Sequence, residues 1–195
     1  MGQLRRAEEE IDRALTAAPD SYLAHRTKGA VLRAQKKPVE AIAEFETTLR
    51  LNPNDVGSYA LIGTLKLATG HPEETFKYTE EALRRSPRDQ LIPLWHQWSG
   101  ISHYTLGHLD AAIDEIRRAA AGAPGDATVS LNLTCAYGLA GRETDARAAF
   151  ADTNRQLPNF TIAKWKENAL SDDPIYLAGR ERCYGALRQL GMPEQ

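Results

Sequence analysis

Three histidines come closest to a metal-binding set in this sequence. His96 and His103 are seven residues apart, which places them on one face of a helix, and His108 follows soon after. Imidazole nitrogens are common zinc ligands. Packing and surface roles explain the same positions, because the repeat described below puts His103 in a column that Tyr137 occupies in the next unit. We therefore expect no metal site and no cofactor.

Known signatures of catalysis are missing from the sequence. It has no GxSxG motif, no P-loop, and no GxGxxG motif that follows a strand and opens a helix. Cys135 and Cys183 lie far apart in the sequence without a CxxC motif, which argues against a zinc site and leaves a disulfide open. We expect that this chain is not an enzyme.

The composition is that of an ordinary globular protein. Of 195 residues, 42% are hydrophobic and 26% are charged, and the formal net charge is -2. This near-neutral charge removes the simplest electrostatic case for binding nucleic acid or an anionic membrane. No apolar run approaches the roughly 18 to 20 residues that cross a bilayer, and the amino-terminal residues lack the apolar core of a signal peptide. These features predict a cytoplasmic chain.

Prolines recur at nearly constant spacing, which indicates internal repeats. Pro19, Pro53, Pro87, Pro124 and Pro158 follow one another at intervals of about 34 residues, the third interval being slightly longer than the others. Twelve, eight and five residues before each proline the residue types mostly run small, large, small, as in Ala41, Phe45 and Thr48. The four-residue step keeps the small and the large residue on one helix face.

Glycines mark a turn inside each repeat. Gly70, Gly107 and Gly141 each precede one of these prolines by the same interval, at a point where a short connection between two helices favours a residue with positive φ. The proline ends the second helix, because the residue that precedes a proline disfavours the α region. Each unit is therefore predicted to be a helix, a turn and a second helix.

A helical hairpin of about 34 residues with this column of Gly, Ala, Phe and Pro resembles the tetratricopeptide repeat. The resemblance implies an all-α, right-handed superhelical solenoid of helix-turn-helix hairpins. The hairpins are expected at residues 22–55, 56–89, 93–126 and 127–160, with 90–92 inserted. Thr75 and Thr79 depart from the pattern beside this insertion, so we expect flexing within residues 75–95.

Residues 1–21 supply only the second helix of a truncated repeat. The apolar face of residues 4–15 then lacks its partner helix, whereas a stacked array needs a cap at each end. We expect that this chain is the carboxyl-terminal part of a longer polypeptide. The alternative is a short native chain whose exposed helix is covered by a second copy, which would form a homodimer.

Residues 161–195 are predicted to form carboxyl-terminal capping helices. Ser171-Asp172-Asp173-Pro174 is a helix start signal, and the residues that follow are amphipathic, with Tyr176, Cys183, Leu187 and Leu190 at helical spacing. Residues 160–195 resemble the end of bacterial multidomain signalling proteins that carry tetratricopeptide repeats after a class III adenylate or guanylate cyclase domain. Similar tails follow winged-helix transcriptional regulators. The resemblance implies a regulatory or assembly arm.

The first helix of each tetratricopeptide unit lines a concave groove, so the resemblance also implies the groove residues. They are Leu23, Arg26, Ala30, Arg33, Ala60, Thr64, Leu67, Leu94, Gln97, Ile101, Tyr104, Thr128, Leu131 and Cys135. The lysine-and-asparagine clamp that holds two carboxylates in some arrays is absent, because Ala30 stands where an asparagine is expected. This mostly small and apolar face suits an amphipathic helix. That helix belongs to a partner protein, to a second copy, or to an upstream segment.

Several residues in or near the groove have two interpretations. Arg26 and Arg33 either pair with acidic residues of a partner or only solvate the surface. Trp95 and Trp98, beside the insertion, are either an exposed aromatic anchor or core residues. The sequence thus predicts a scaffold that binds proteins or peptides, either as an arm of a signalling protein or as a free-standing adaptor. An enzyme with an unrecognised site in the groove is the third possibility.

Overall fold

The computed structural model describes residues 2–195, with side chains from residue 6 onward. This part of the chain is all-helical, as predicted, and contains no strand. The helices are α1 (Gly2–Ala17), α2 (Tyr22–Ala34), α3 (Pro38–Leu51), α4 (Val56–Ala68), α5 (Glu74–Arg85), α6 (Ile92–Leu106), α7 (Leu109–Gly122), α8 (Ala127–Leu139), α9 (Glu143–Gln156), α10 (Ile162–Glu167) and α11 (Pro174–Leu190). Within residues 2–195, no helix is both long enough and apolar enough to span a membrane.

Local sequence signals set the helix ends. The side chains of Ser21, Asp55, Asp126, Thr161 and Asp173 accept hydrogen bonds from backbone N–H groups in the first turn of α2, α4, α8, α10 and α11. The predicted turn glycines have positive φ, at 79° for Gly70, 86° for Gly107 and 68° for Gly141. In the turn between α2 and α3, Lys36 occupies the position of these glycines and also has a positive φ, of 59°.

The helices pack as hairpins that stack into a solenoid. The pairs are α2 with α3, α4 with α5, α6 with α7, and α8 with α9, and α3, α5 and α7 also pack on the first helix of the next hairpin. Among the first helices, α4 contacts α6 and α6 contacts α8. We therefore assign the first helices to the inner, concave layer and the second helices to the outer layer.

Two clusters of buried side chains form the core. The smaller one joins α3 and α4 through Phe45 and Ile62, and the larger one runs from α6 to α11. Trp95 is 1% exposed and is therefore a core residue, whereas Trp98 is half-buried and lines a cavity described below. Helix α6, which carries both tryptophans, begins at Ile92 within the inserted segment.

The two irregular threonines of the second full hairpin are buried and hydrogen-bonded. The Thr75 hydroxyl donates to the carbonyl oxygen of Gly63 at 3.0 Å, which links α5 to α4. The Thr79 and Ser99 hydroxyl oxygens lie 2.9 Å apart and link α5 to α6. Polar contacts therefore replace apolar ones at these positions. The flexing of residues 75–95 stays a prediction.

Candidate binding site on the concave face

The carboxyl-terminal helix α11 crosses the carboxyl-terminal ends of the inner helices. Ahead of it, the Ser171 hydroxyl donates to the carbonyl oxygen of Ala68, the last residue of α4. Farther along, Gly179 lies against the side chain of Thr105 on α6, and Ala186 lies against Gly138 on α8. The segment after α10 therefore covers part of the concave layer and is more than an end cap.

A disulfide fastens α11 to the inner layer. Cys135 of α8 and Cys183 of α11 are bonded, with their Cα atoms 5.2 Å apart and both residues fully buried. Nearby, the Arg182 guanidinium donates to the carbonyl oxygens of Tyr104 and Thr105. Sequence reasoning left the disulfide open and predicted that Cys135 lines the groove. In the structure Cys135 is buried and forms the disulfide with Cys183 instead.

The cover formed by α11 changes the groove that the sequence predicted. Six of the predicted groove residues are buried, namely Thr64, Leu67, Gln97, Tyr104, Leu131 and Cys135. Tyr104, Leu131 and Cys135 share one core cluster with Leu187 of α11, so helix packing explains their burial. An amphipathic helix does occupy this part of the groove, but it belongs to the chain itself, an occupant that sequence reasoning did not consider.

The remaining concave surface is open to solvent, and we call it the open section. It consists of the predicted residues Leu23, Arg26, Ala30, Arg33, Ala60 and Leu94. Leu23 is 55% exposed and Leu94 is 42% exposed. The Arg26 Nε atom lies 3.6 Å from an Asp55 carboxylate oxygen, and the side chain is 46% exposed. Arg33 is exposed near the other end of α2.

A cavity of about 210 Å³ lies where α6 and α8 meet the carboxyl-terminal tail. The predicted groove residues Ile101 and Thr128 line it, together with Trp98, which the sequence offered as a candidate aromatic anchor. Trp165 and Arg180, which sequence reasoning did not place in a site, line it as well. Polar groups in its wall are bonded to one another. The Tyr104 hydroxyl donates to Asn132 Oδ1 at 3.0 Å, and Gln97 Nε2 donates to Thr128 Oγ1 at 3.0 Å. Complete burial strongly raises the pKa of Tyr104, so its hydroxyl stays protonated even in alkaline solution.

The three histidines do not converge on one point. His96 Nδ1 lies 2.8 Å from a Glu115 carboxylate oxygen. The His103 ring stacks on the Phe76 ring with centroids 4.2 Å apart, and the His103 and His108 ring centroids are 5.8 Å apart. A different group, His71 with Glu73 and Glu74, brings three possible ligand atoms within 4.8 Å, but this group is on the surface and no further feature points to an ion.

A histidine–glutamate pair recurs in two hairpins, which sequence reasoning missed. His25 Nδ1 lies 2.6 Å from Glu44, and the pair from His96 to Glu115 is the same 19 residues apart. Each pair joins the first and second helix of its hairpin. Burial raises the pKa of Glu44 and of Glu115, but the hydrogen bonds and charges of the histidines and of Lys28 or Arg118 outweigh it and lower the pKa. The equal spacing within the two pairs was the available signal.

These pairs predict a loss of stability in acid. Because both carboxyl groups have a folded-state pKa below 4.5, their contribution is fully present above pH 4.5 and is lost as the pH falls towards the folded-state values. The double substitution Glu44→Gln, Glu115→Gln should therefore lower stability at neutral pH and flatten its fall in acid. Urea denaturation at a series of pH values measures this. Glu143→Gln, in an exposed pair with Arg147, is the control, and parallel curves for wild type and the double variant would contradict the prediction.

Comparison with known proteins identifies the architecture. Residues 1–56 match the tetratricopeptide repeat family. The solved structure of PilW, a widely conserved type IV pilus biogenesis factor, is 22% identical, with a TM-score of 0.77 over 97% of this chain and 86% of that chain. PilF of Pseudomonas aeruginosa is 15% identical, with a TM-score of 0.72 over 97% and 83%. YrrB, a tetratricopeptide protein with an unusual peptide-binding site, is 19% identical, with a TM-score of 0.64 over 92% and 84%.

No curated protein sequence matches the chain. At these identities the structural likeness establishes the fold, and the match of residues 1–56 agrees with it. The chain therefore has the helical-hairpin solenoid fold of tetratricopeptide-repeat proteins, as its proline and glycine columns predicted.

Proposed function

Starting from this fold, we propose that the chain is a non-catalytic scaffold that holds a partner's peptide or amphipathic helix on the open section. The observation that carries the proposal is the exposure of two large apolar side chains, Leu23 and Leu94, on the inner helices. A partner helix with its apolar face turned inward would bury them. The six side chains of the open section include no carboxylate, histidine or thiol, which favours binding over catalysis.

The two arginines of the open section predict the charge of the proposed partner. No carboxylate among residues 6–195 forms an ion pair with Arg33, and the 3.6 Å contact of Arg26 with Asp55 leaves its side chain nearly half exposed. Acidic residues beside the apolar face of the partner would meet these two cations. We therefore infer an acidic amphipathic segment as the occupant.

Reversing both charges tests this function. We expect the double substitution Arg26→Glu, Arg33→Glu to weaken binding about tenfold or more, because each favourable contact becomes a like-charge repulsion. A partner recovered from source-cell lysate with the wild-type chain is titrated against each variant by calorimetry. Arg155→Glu, an exposed change on the outer helix α9, is the matched control. Unchanged affinity in the double variant would remove the arginines from the site.

We also propose that the scaffold is a regulatory or assembly arm of a bacterial signalling protein, with a nucleotide cyclase as one attached output domain. The resemblance of residues 160–195 to such tails supports this. A free-standing adaptor and an arm of a transcriptional regulator are the alternatives. Intact mass spectrometry of the endogenous polypeptide separates them, since a mass well above 21.6 kDa supports an arm and a mass of 21.6 kDa supports an adaptor.

Whether two copies of the chain form a homodimer is a separate question, and light scattering of the purified chain answers it.

The disulfide bears on where this scaffold works. Disulfides are rare where cellular reductants keep thiols reduced, and they persist in oxidising compartments. The pair of Cys135 and Cys183 is fully buried and joins two helices of the core, as a structural cross-link does. We therefore favour an oxidising compartment over the cytoplasmic location that composition alone predicted. An attached cyclase domain, whose nucleotide substrate is cytoplasmic, would then lie on the other side of a membrane from these repeats.

A further inference from the structure

The cavity between α6, α8 and the tail has the size of a site for one side chain. Its volume is about 210 Å³, below the roughly 300–1,000 Å³ of pockets for drug-sized ligands. Ile101, Trp98 and Trp165 form its apolar walls, and the exposed residue Leu94 also lines it. Gln97 Nε2 and the Tyr104 hydroxyl already donate to neighbours in the wall, so the interaction that Ile101, Trp98 and Trp165 offer is mainly apolar contact.

Arg180 adds a positive charge that has no carboxylate partner. Its guanidinium lies 5.3 to 5.6 Å from the ring centroids of Trp165, Tyr176 and Tyr184. It donates to the hydroxyls of both tyrosines, at 2.6 and 3.0 Å, and to the carbonyl oxygen of Trp165. No Asp or Glu of the described chain forms an ion pair with it. A guanidinium has five N–H donors, so two remain for a ligand.

We propose that this cavity binds the carboxyl-terminal residue of a peptide, whose bulky apolar side chain enters the cavity while its terminal carboxylate accepts hydrogen bonds from Arg180. A single carboxyl-terminal residue supplies both an apolar side chain that packs on the walls and an anion that pairs with the guanidinium. A charge-assisted pair of a carboxylate with arginine is among the stronger hydrogen-bonding arrangements in proteins. The fixed position of Arg180 among three rings lowers the entropy cost of forming it.

This site shares Leu94 with the open section but differs from it in the rest of its lining. It lies under the tail and uses an arginine of α11, whereas the open section uses the arginines of α2. The inference deepens the proposed scaffold function, but its test needs only short synthetic peptides. A negative result with these peptides would therefore not contradict binding at the open section. Unchanged affinity of the Arg26 and Arg33 variant would likewise not contradict binding in this cavity.

Three acetylated tripeptides test the proposal on the full, oxidised chain. They are acetyl-Gly-Gly-Phe with a free carboxylate, the same peptide as its amide, and acetyl-Phe-Gly-Gly with a free carboxylate. The indole N–H signals of the protein's tryptophans in ¹H–¹⁵N spectra are the readout, because Trp98 and Trp165 line the cavity while Trp95 is only 1% exposed.

We expect the first peptide to move the signals of Trp98 and Trp165 in a saturable manner and to leave that of Trp95 in place. The amide should bind about ten-fold or more weakly, since it loses the charged acceptor. The third peptide should bind more weakly as well. Equal binding of acid and amide would overturn the role of Arg180, equal binding of the internal phenylalanine would overturn selection of the terminal residue, and no shift with any peptide would overturn the site.

Two variants complete the test. Leu94→Glu changes an exposed residue and adds a negative charge at the cavity, so it should weaken binding of the acid peptide about ten-fold. Leu106→Glu, at the far end of α6, should leave the affinity for this peptide unchanged. Arg180→Gln should abolish the preference for acid over amide while the phenylalanine still binds. Because Leu94 is on the surface, its variant still tests the cavity if Arg180→Gln fails to fold. Unaltered binding in Leu94→Glu would contradict the proposal.

Discussion

Replacing Cys135 and Cys183 together by alanine should lower the free energy of unfolding by about 2–4 kcal/mol. The bond closes a loop across 48 residues of sequence and joins α8 to α11, so without it the unfolded chain gains conformational freedom. Urea denaturation measures the change. Reduction of the wild-type chain should shift its midpoint in the same direction, and reductant should leave the double variant unaffected. A wild-type midpoint that reductant does not move would contradict the prediction.

The same bond can be examined in the source cells. Alkylation of intact cells, followed by mass spectrometry without reduction, should recover Cys135 and Cys183 as a linked pair of peptides. Buried sulfurs react slowly, so the lysate is denatured in the presence of the alkylating agent. Two alkylated thiols in place of the linked pair would overturn the assignment to an oxidising compartment.

Gly100→Ala should lower the free energy of unfolding by about 1–3 kcal/mol. A Cβ atom at this position would lie 2.4 Å from Ile116 Cγ1 and 3.1 Å from the carbonyl oxygen of Ala112. Since both contacts come from α7, the two helices of this hairpin would have to move apart. Thermal and urea denaturation report the effect.

A glycine on α11 provides the matched control. Apart from its chain neighbours and its own helix backbone, no atom lies within 4 Å of a Cβ built at Gly185. Gly185→Ala should therefore be neutral or stabilising, by up to about 1 kcal/mol, because alanine has the higher helix propensity. Equal destabilisation by the two substitutions would show that close packing of α6 on α7 is not the cause.

The sequence was most informative about features that depend on neighbours in the chain. The spacing of the prolines and of Gly70, Gly107 and Gly141 predicted hairpins with left-handed turn residues, and the structure has both. The segment around Asp173 was predicted to start the last helix, and Asp173 caps it through two backbone N–H groups. These features are encoded within one or two turns of the residue concerned, so local propensity is sufficient to predict them.

The groove was predicted less well because its shape depends on distant contacts. The hydrogen bond between Ser171 and Ala68 joins residues 103 positions apart, and no repeat pattern specifies it. The amphipathic spacing of α11 shows that one face is buried but does not show which surface buries it. For the same reason the partner of Cys135 and the surroundings of Arg180 became visible only in the folded chain.

The position of α11 over the inner helices is tested most directly by nuclear Overhauser effects in the oxidised chain. We predict contacts from the Gly179 Hα protons to the Thr105 methyl group and from the Gly138 Hα protons to the Ala186 methyl group. The first pair places α11 on α6 and the second places it on α8. If the second contact appeared without the first, α11 would pack on the last hairpin alone, and the closed part of the concave face, with the cavity beside it, would not exist as described.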